Sequence, residues 1–287
     1  MRCDRCGRDA VLSQRYSGLR LCGEHFLSAL EARAKQTIRT RGWILPGDRI
    51  AVGLSGGPAS CSLLHFLATH FGMRRDLSLV AITVDEGNGM DTGGIRAMAG
   101  RRGIEWIGTG PGGGSGEGNG AAVSGRWGLR DIVLESLARE GGATKLAMGT
   151  SLDTRAGSVF LHVLRGDGAG LFQGTGQWHG GIPRIEPFIR IPADEISLYA
   201  RLNGLDPAPS RAGEAGGSLE NEAGRILKEF TARHPSALFS ISNLGDALLA
   251  GGPGIRPPDP SRGGRSGGRA PPPGGARSTG QGGRTHG

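Results

Sequence analysis

Strand-like and helix-like segments alternate from residue 49 to residue 165, and this alternation constrains the fold more than any other feature of the chain. Strands are predicted at 49–54, 77–85, 104–108 and 144–151, and helices at 61–72, 91–102, 129–142 and 152–165. Alternation of this kind indicates a parallel sheet with helices on both faces, and the ligands of such sheets gather at the carboxyl ends of the strands. The predicted fold class is therefore α/β, with a doubly wound parallel sheet.

A glycine turn follows the first of these strands. Residues 52–67 read VGLSGGPASCSLLHFL, so an apolar strand runs into Ser55-Gly56-Gly57 and an apolar helix follows. Such a turn makes a phosphate cradle, because backbone N–H groups and the positive end of the helix converge on one point. Two further polar segments, 85–87 and 149–153, fall at the ends of later strands. The pattern predicts a nucleotide site at this edge of the sheet.

The first 26 residues contain two pairs of metal-ligand residues. Cys3 and Cys6 form one x₂ pair, Cys22 and His25 form the other, and fifteen residues separate the pairs. Two such pairs, here called knuckles, supply the four ligands of a tetrahedral zinc site. Because no coordination position remains open for a substrate, the site is predicted to be structural. A short hairpin turning at Ser17-Gly18 is predicted between them. The alternative is that these are chance cysteines of a reducing compartment.

The basic residues concentrate at the two ends of the chain. The formal charge is +8, with ten Lys/Arg against five Asp/Glu in residues 1–50 and six Arg against one Asp in residues 251–287. This distribution favours arms that grip a polyanion, or else a solvated basic surface. The Gly/Pro/Arg-rich segment 251–287 has too few apolar side chains to fold. No run approaches the roughly 18 apolar residues of a membrane helix, and the N-terminus does not resemble a signal peptide, so we expect a cytoplasmic protein that does not bind membranes.

Several motifs occur in an order typical of one family. They are the two knuckles, S-G-G-x-x-S, V-D-E-G, L-A-M-G-T-S-L-D-T, L-R-G-D, G-I-P-R-I-E-P-F and I-P-A-D-E-I-S-L-Y-A. This series resembles the archaeal and eukaryotic tRNA 2-thiouridine synthetases of the PP-loop ATP pyrophosphatase superfamily, over about residues 1–245. We divide the chain into a zinc module (1–26), a basic connecting helix (27–48), a PP-loop domain (49–205), a helical region (206–250) and a disordered tail (251–287).

The resemblance implies an activity and its sites. In that family ATP binds the PP-loop, the C2 oxygen of a tRNA uridine is adenylated, and sulfur then displaces AMP, which is a far better leaving group than hydroxide. The implied nucleotide-binding residues here are Ser55, Gly56, Gly57, Ser60, Gly149 and Asp153, with Mg²⁺ as the companion ion. The implied tRNA-binding residues lie on the connecting helix and are Arg33, Lys35, Arg39 and Arg41.

The charged positions of the nucleotide site depart from the family pattern. Where the family loop reads S-G-G-K-D-S, this chain has Pro58 and Ala59 in place of Lys and Asp. G-H-N-L-D-D has become G-T-S-L-D-T, which keeps Asp153 and replaces the second carboxylate with Thr154, and P-R-I-K-P-L now carries Glu186. We therefore expect ATP and Mg²⁺ to bind weakly at best. Asp153 and Cys61 are the remaining candidates for a catalytic role.

The family's sulfur-handling cysteines have no counterparts at the aligned positions. Val123 and Arg126 align with a C-x-x-C pair, and Ala208 aligns with a third cysteine. On this alignment an iron–sulfur cluster is not expected.

Three hypotheses remain open, and so does the question of whether the chain is an enzyme. The first hypothesis is an active tRNA-thiolating enzyme with a diverged site. The second is a non-catalytic paralogue that binds tRNA or pairs with an active subunit, and the third is a nucleotide-binding structural module. A homodimer is compatible with each of them.

Overall fold

The N-terminal residues form a small hairpin followed by a long helix. Strands β1 (Leu12–Ser13) and β2 (Arg20–Leu21) pair antiparallel, with Leu12 opposite Leu21. The chain turns between them at Gly18, whose φ of +75° favours glycine. Helix α1 (Gly23–Thr40) follows and buries one apolar stripe. The predicted hairpin and helix are both present.

In the part of the chain that the structure describes, the central sheet has five parallel strands: β3 (Arg49–Gly53), β4 (Ser78–Thr83), β5 (Glu105–Gly108), β6 (Lys145–Ala147) and β7 (Arg184–Ile185). Their order across the sheet is β5-β4-β3-β6-β7. The strand order therefore reverses between β3 and β6, as in doubly wound folds. The predicted α/β fold with a parallel sheet is confirmed.

Four helices between the strands lie close to their predicted positions: α2 (Pro58–Phe71), α3 (Thr92–Gly100), α4 (Gly128–Glu140) and α5 (Leu152–Arg165). The described residues also contain α6 (Gly168–Gln173) before β7, and α7 (Ala193–Leu202), α8 (Ser218–Arg233) and α9 (Ala237–Leu249) after it. The strand predicted at 144–151 is shorter, because residues 148–151 turn away from the sheet toward α5. Strand β7 was not predicted, since two residues are too few to show a period.

Apolar layers cover both faces of the sheet. Ile50 and Val52 of β3 point to a core shared with α1, α2 and α7, whereas Ala51 points to a core shared with α4. This alternation follows from the period of two along a strand. Since both faces are covered, ligands reach the sheet only at its edges and strand ends.

The computed structural model describes residues 1–85, 90–109, 128–173, 181–205, 207 and 218–249. All of them belong to one compact unit, Met1–Ile255. The predicted tail, 251–287, lies outside the described residues. None of the described helices has the length and apolar character needed to cross a membrane.

Candidate functional site

The loops after β3 and β6 meet at the point where the strand order reverses. Gly149, just beyond β6, lies against the first turn of α2, and a Cβ at this position would come within 2.7 Å of the Ala59 carbonyl carbon and 2.8 Å of the Ser60 nitrogen. Only glycine allows this approach. The structure thus brings the predicted residues of the two loops together in the crevice where doubly wound folds bind their ligands.

The loop after β3 is held in shape by its own groups. Gly56 has a φ of +74°, and Pro58 is the first residue of α2, where its missing N–H is not needed. The Ser60 hydroxyl donates to the Gly57 carbonyl at 3.1 Å and accepts from the Ser55 backbone N–H at 3.2 Å. Ser55 itself is exposed at the rim. The loop can therefore present N–H groups and the Ser55 hydroxyl to a phosphate.

Asp153 has a structural task at this edge. Its Oδ2 accepts from the backbone N–H of Ala193, the first residue of α7, at 2.7 Å. Burial raises the pKa of Asp153 above its ordinary range. Asp153 caps α7 from the neighbouring helix, so its carboxylate is committed to holding two helices together.

Glu186, which stands where the family motif has a cation, is buried among polar partners. It is 4% exposed, accepts from the Thr150 hydroxyl at 2.6 Å and pairs with Arg184 at 3.0 Å. Its charge is thus neutralised within the fold.

Cys61 is a buried thiol. It is 2% exposed, its Sγ donates to the Gly56 carbonyl at 3.4 Å, and burial raises its pKa to about 11. A nucleophilic cysteine needs a depressed pKa and access to solvent. The geometry therefore favours the packing role of Cys61.

The four predicted metal ligands converge in space. The ligand atoms of Cys3, Cys6, Cys22 and His25 all lie within 4.8 Å of one another. His25 Nδ1 lies 3.5 Å from Cys3 Sγ and 3.4 Å from Cys22 Sγ, and the sulfurs of Cys6 and Cys22 are 3.7 Å apart. Bond lengths of about 2.3 Å to sulfur and 2.0–2.1 Å to nitrogen give tetrahedral edges of about 3.8 Å (S···S) and 3.6 Å (S···N). The distances fit a closed tetrahedral site.

Hydrogen bonds lower the pKa of two thiols of this site, Cys3 and Cys6, whereas the pKa of Cys22 is raised. Burial acts to raise the pKa of Cys3, but backbone N–H groups of Cys22, Arg5 and Cys6 outweigh it and lower the pKa to about 6. Arg8 donates to Cys6 Sγ at 3.5 Å and so lowers the pKa of that thiol as well. These donors stabilise negative sulfur, which is the form that binds metal.

A buried network ties the metal module to α7. The Glu195 carboxylate, 2% exposed, accepts from Gln14 at 3.0 Å and from the Tyr16 hydroxyl at 2.6 Å, and it pairs with Arg33. Sequence analysis missed Gln14, Tyr16 and Glu195. The available signal was a glutamate on the apolar side of α7.

The basic residues predicted to bind tRNA differ in their surroundings. The Arg33 guanidinium is occupied by Glu195 and Tyr16. Arg41 pairs with Asp246 at 2.9 Å and lies over the Trp43 ring. Lys35 is half-buried and Arg39 is exposed. Lys35 and Arg39 are thus the two side chains of the set most open to a ligand.

Some predicted positions lie outside the described residues. They are Glu86 and Gly87 after β4, and Val123, Arg126 and Ala208, which were aligned with the family's cysteines.

Comparisons with known proteins identify relatives over most of the chain. The family described as "2-thiouridine synthetase TtuA, N-terminal LIM domain" matches residues 2–27. The tRNA 2-thiolation protein NcsA of Haloferax volcanii is 29% identical over 84% of this chain and 84% of its own length. Cytoplasmic tRNA 2-thiolation protein 1 of Bos taurus is 30% identical over 88% of this chain and 78% of its own length.

A solved structure has the same fold. The U34-tRNA thiolase NcsA from Methanococcus maripaludis, with its [4Fe-4S] cluster, superposes with a TM-score of 0.74 at 26% identity, covering 88% of this chain and 89% of its own. This finding contradicts the prediction that no iron–sulfur cluster is to be expected. The prediction was wrong because it depended on the alignment of three positions alone, Val123, Arg126 and Ala208. Two of them were reached by counting through the glycine-rich stretch before α4, where no pattern fixes an alignment, and all three lie outside the described residues.

The relative from Bos taurus is 30% identical over 88% of this chain, and the solved thiolase covers the same share of it. The chain belongs to the tRNA 2-thiolation protein family.

Proposed function

We propose that this chain binds tRNA but does not activate a uridine with ATP by itself. The observation that carries the proposal is the absence of charge from the loop: Pro58 and Ala59 occupy the first turn of α2, where the family loop has Lys and Asp. The lysine offsets phosphate charge, and the aspartate helps to hold Mg²⁺. Adenylation needs both.

The neighbouring carboxylates do not replace the lost aspartate. Asp153 accepts a hydrogen bond from the backbone N–H of Ala193. Glu186 forms an ion pair with Arg184 and accepts a hydrogen bond from Thr150. Freeing either group for Mg²⁺ would leave a helix end or a buried cation without its partner, and each such loss costs about 1–3 kcal/mol.

Weak nucleotide binding is still expected at the loop. Ser55, Gly56, Gly57 and Ser60 keep the shape of a phosphate cradle, and Gly149 keeps the two loops in contact. Each charge-assisted contact contributes roughly 1.5–3 kcal/mol, so the loss of one weakens binding about 10- to 150-fold.

Calorimetry with Mg²⁺ and ATP tests this part of the proposal. We expect the double substitution Pro58→Lys/Ala59→Asp to tighten binding by about tenfold or more. The control variant Gln36→Lys adds a charge on the exposed side of α1 and should leave ATP binding unchanged. Low-micromolar affinity of the unaltered chain would contradict the expected weak binding. AMP release when tRNA and ATP are both supplied would instead establish an active enzyme with a diverged loop.

Contacts with tRNA are proposed for the C-terminal half of α1 and, separately, for the basic segment 251–287. Lys35 and Arg39 are the open cations of α1, and residues 251–287 add six arginines. Phosphate contacts of this kind give affinity with little base readout. The double variant Lys35→Gln/Arg39→Gln should lower the slope of log K against log salt by about 1.4–1.8. The same slope in this variant as in the Arg225→Gln control on α8 would contradict the assignment.

The setting proposed for this function is the cytoplasm, by analogy with the relatives named as cytoplasmic thiolation proteins. A catalytically intact member of the family is the proposed partner. Adding such a member to the chain and tRNA should raise thiolation above the level of that member alone.

A further inference from the structure

A second cleft lies at the amino ends of the strands, on the opposite edge of the sheet from the loop after β3. Its volume is about 780 Å³, and its walls are the first residues of β3, β4 and β5, the end of α2 and residues 101–104. The titratable residues of these walls are Arg49, His65, Arg101, Arg102 and Glu105.

Arg102 is a partly buried cation without a carboxylate partner. Its guanidinium donates to His65 Nδ1 at 2.9 Å and to the Met98 carbonyl at 3.2 Å. Neither partner is negative, and no carboxylate in the described ranges pairs with Arg102. A half-buried charge is normally paired.

His65 positions Arg102 without neutralising it. Nδ1 can accept a hydrogen bond only on the neutral imidazole. Burial, and next the charge of Arg102, lower the pKa of His65, which keeps the ring in that form. The carboxylate of Glu31 that also acts on His65 is itself bound to His70 at 3.0 Å and to the Tyr199 hydroxyl. The cleft therefore keeps its positive charge.

Arg101 adds a second cation beside the first. It is exposed, it forms no ion pair within the part of the chain that the structure describes, and it lies close enough to lower the pKa of Arg102. The one carboxylate of the walls, Glu105, is occupied by Arg49 at 2.5 Å. Three guanidinium groups thus face one carboxylate, which leaves an excess of positive charge for a ligand to balance.

We propose that this cleft binds a phosphate group, through the guanidinium groups of Arg102 and Arg101. Guanidinium forks match phosphate oxygens, and a dianion would remove the repulsion between the two cations. The phosphate belongs either to a free phosphate compound or to an RNA backbone.

The neighbouring surface separates these two sources. A smaller hollow of about 480 Å³ shares Ile104 with the cleft and is lined by Arg96 and Trp106. Arg96 lies over the Trp106 ring at 5.7 Å, along the edge strand β5. An RNA strand would engage this cation as well, whereas a free phosphate would not reach it.

Titration of the full chain with inorganic phosphate tests the site. Arg102→Gln, which can still donate to His65, should weaken binding at the cleft at least tenfold, and Arg101→Gln should weaken it by a smaller factor. Arg75→Gln removes an exposed arginine outside the cleft and should change nothing. Ser55→Asp repels phosphate from the loop after β3 and should leave binding at the cleft intact, so failure of this site and failure of the proposed nucleotide loop are distinguishable.

The source is tested with tRNA at several salt concentrations. If the ligand is RNA, Arg96→Gln/Arg102→Gln lowers the salt slope by about 1.4–1.8; if it is a free compound, the slope is unchanged while phosphate binding is lost. The proposal is overturned if Ser55→Asp protein binds no phosphate, or if both Arg102→Gln and Arg101→Gln bind it as Arg75→Gln does. Thermal unfolding of each variant verifies that the chain is folded.

Discussion

The substitution Arg33→Met probes the network that joins the metal module to the body. It removes the only cation paired with Glu195 among the described residues and leaves a carboxylate that is 2% exposed, with hydrogen bonds from Gln14 and Tyr16 alone. Breaking a buried pair from one side costs about 3–5 kcal/mol. Because two donors remain, we expect the lower end, about 3 kcal/mol. That is a large part of the 5–15 kcal/mol typical of a domain.

The assay is equilibrium unfolding in urea, followed by far-UV circular dichroism with the metal content verified for every variant. The matched control is Arg225→Met, which removes an arginine that pairs with Glu222 and Glu229 while 59% exposed, and should cost no more than about 0.5 kcal/mol. The double variant Arg33→Met/Glu195→Met removes both charges and should recover part of the lost stability, because Gln14 and Tyr16 lose Glu195 as their acceptor.

Two results would refute this reasoning. One is a cost of Arg33→Met below 1 kcal/mol, as for a surface pair. The other is a double variant no more stable than Arg33→Met itself, since the cost would then not come from the stranded carboxylate.

Four further outcomes are expected. Purified protein should hold one metal ion at the N-terminal site per chain and Cys22→Ala should lose it, as measured by metal analysis that counts zinc, iron and acid-labile sulfide together. Iodoacetamide at pH 8 should leave Cys61 unlabelled in the native chain, because a pKa of about 11 leaves few thiolates; labelling there would contradict its burial. Gly149→Ala should cost about 1–3 kcal/mol by backbone overlap, whereas Gly157→Ala, with open space in α5, should be neutral or stabilising; equal effects would be inconsistent with the close approach. Burial acts to raise the pKa of Asp48, but its hydrogen bonds and the nearby Lys145 outweigh burial and lower the pKa below the ordinary 3.8. The contribution of Asp48 to folding stability is therefore full above pH 3.8 and is lost as the pH falls through the folded-state pKa. Asp48→Asn should flatten this loss of stability, as measured by acid unfolding.

The ligand pairs and the strand–helix order could be predicted from sequence because they depend on residues close together in the chain. A C-x₂-C turn aims two sulfurs at one point wherever it occurs, and a buried parallel strand is apolar throughout. The same holds for the glycine turn at 55–57. Its place at the reversal of the strand order followed once the alternation was recognised.

The roles of the charged residues were decided by tertiary structure. Arg33 and Arg39 are both basic residues of α1 that the sequence does not distinguish. Arg33 contacts a buried glutamate 162 positions away, whereas Arg39 is exposed to solvent. Asp153 matches a nucleotide-site motif but caps a helix that begins 40 residues later. Arg102 is an ordinary surface arginine in sequence until the packing of α2 places His65 beside it. Charge and residue type are local properties, whereas burial and counter-charge arise only when distant segments meet, and these decide whether a side chain stabilises the fold or remains free to bind.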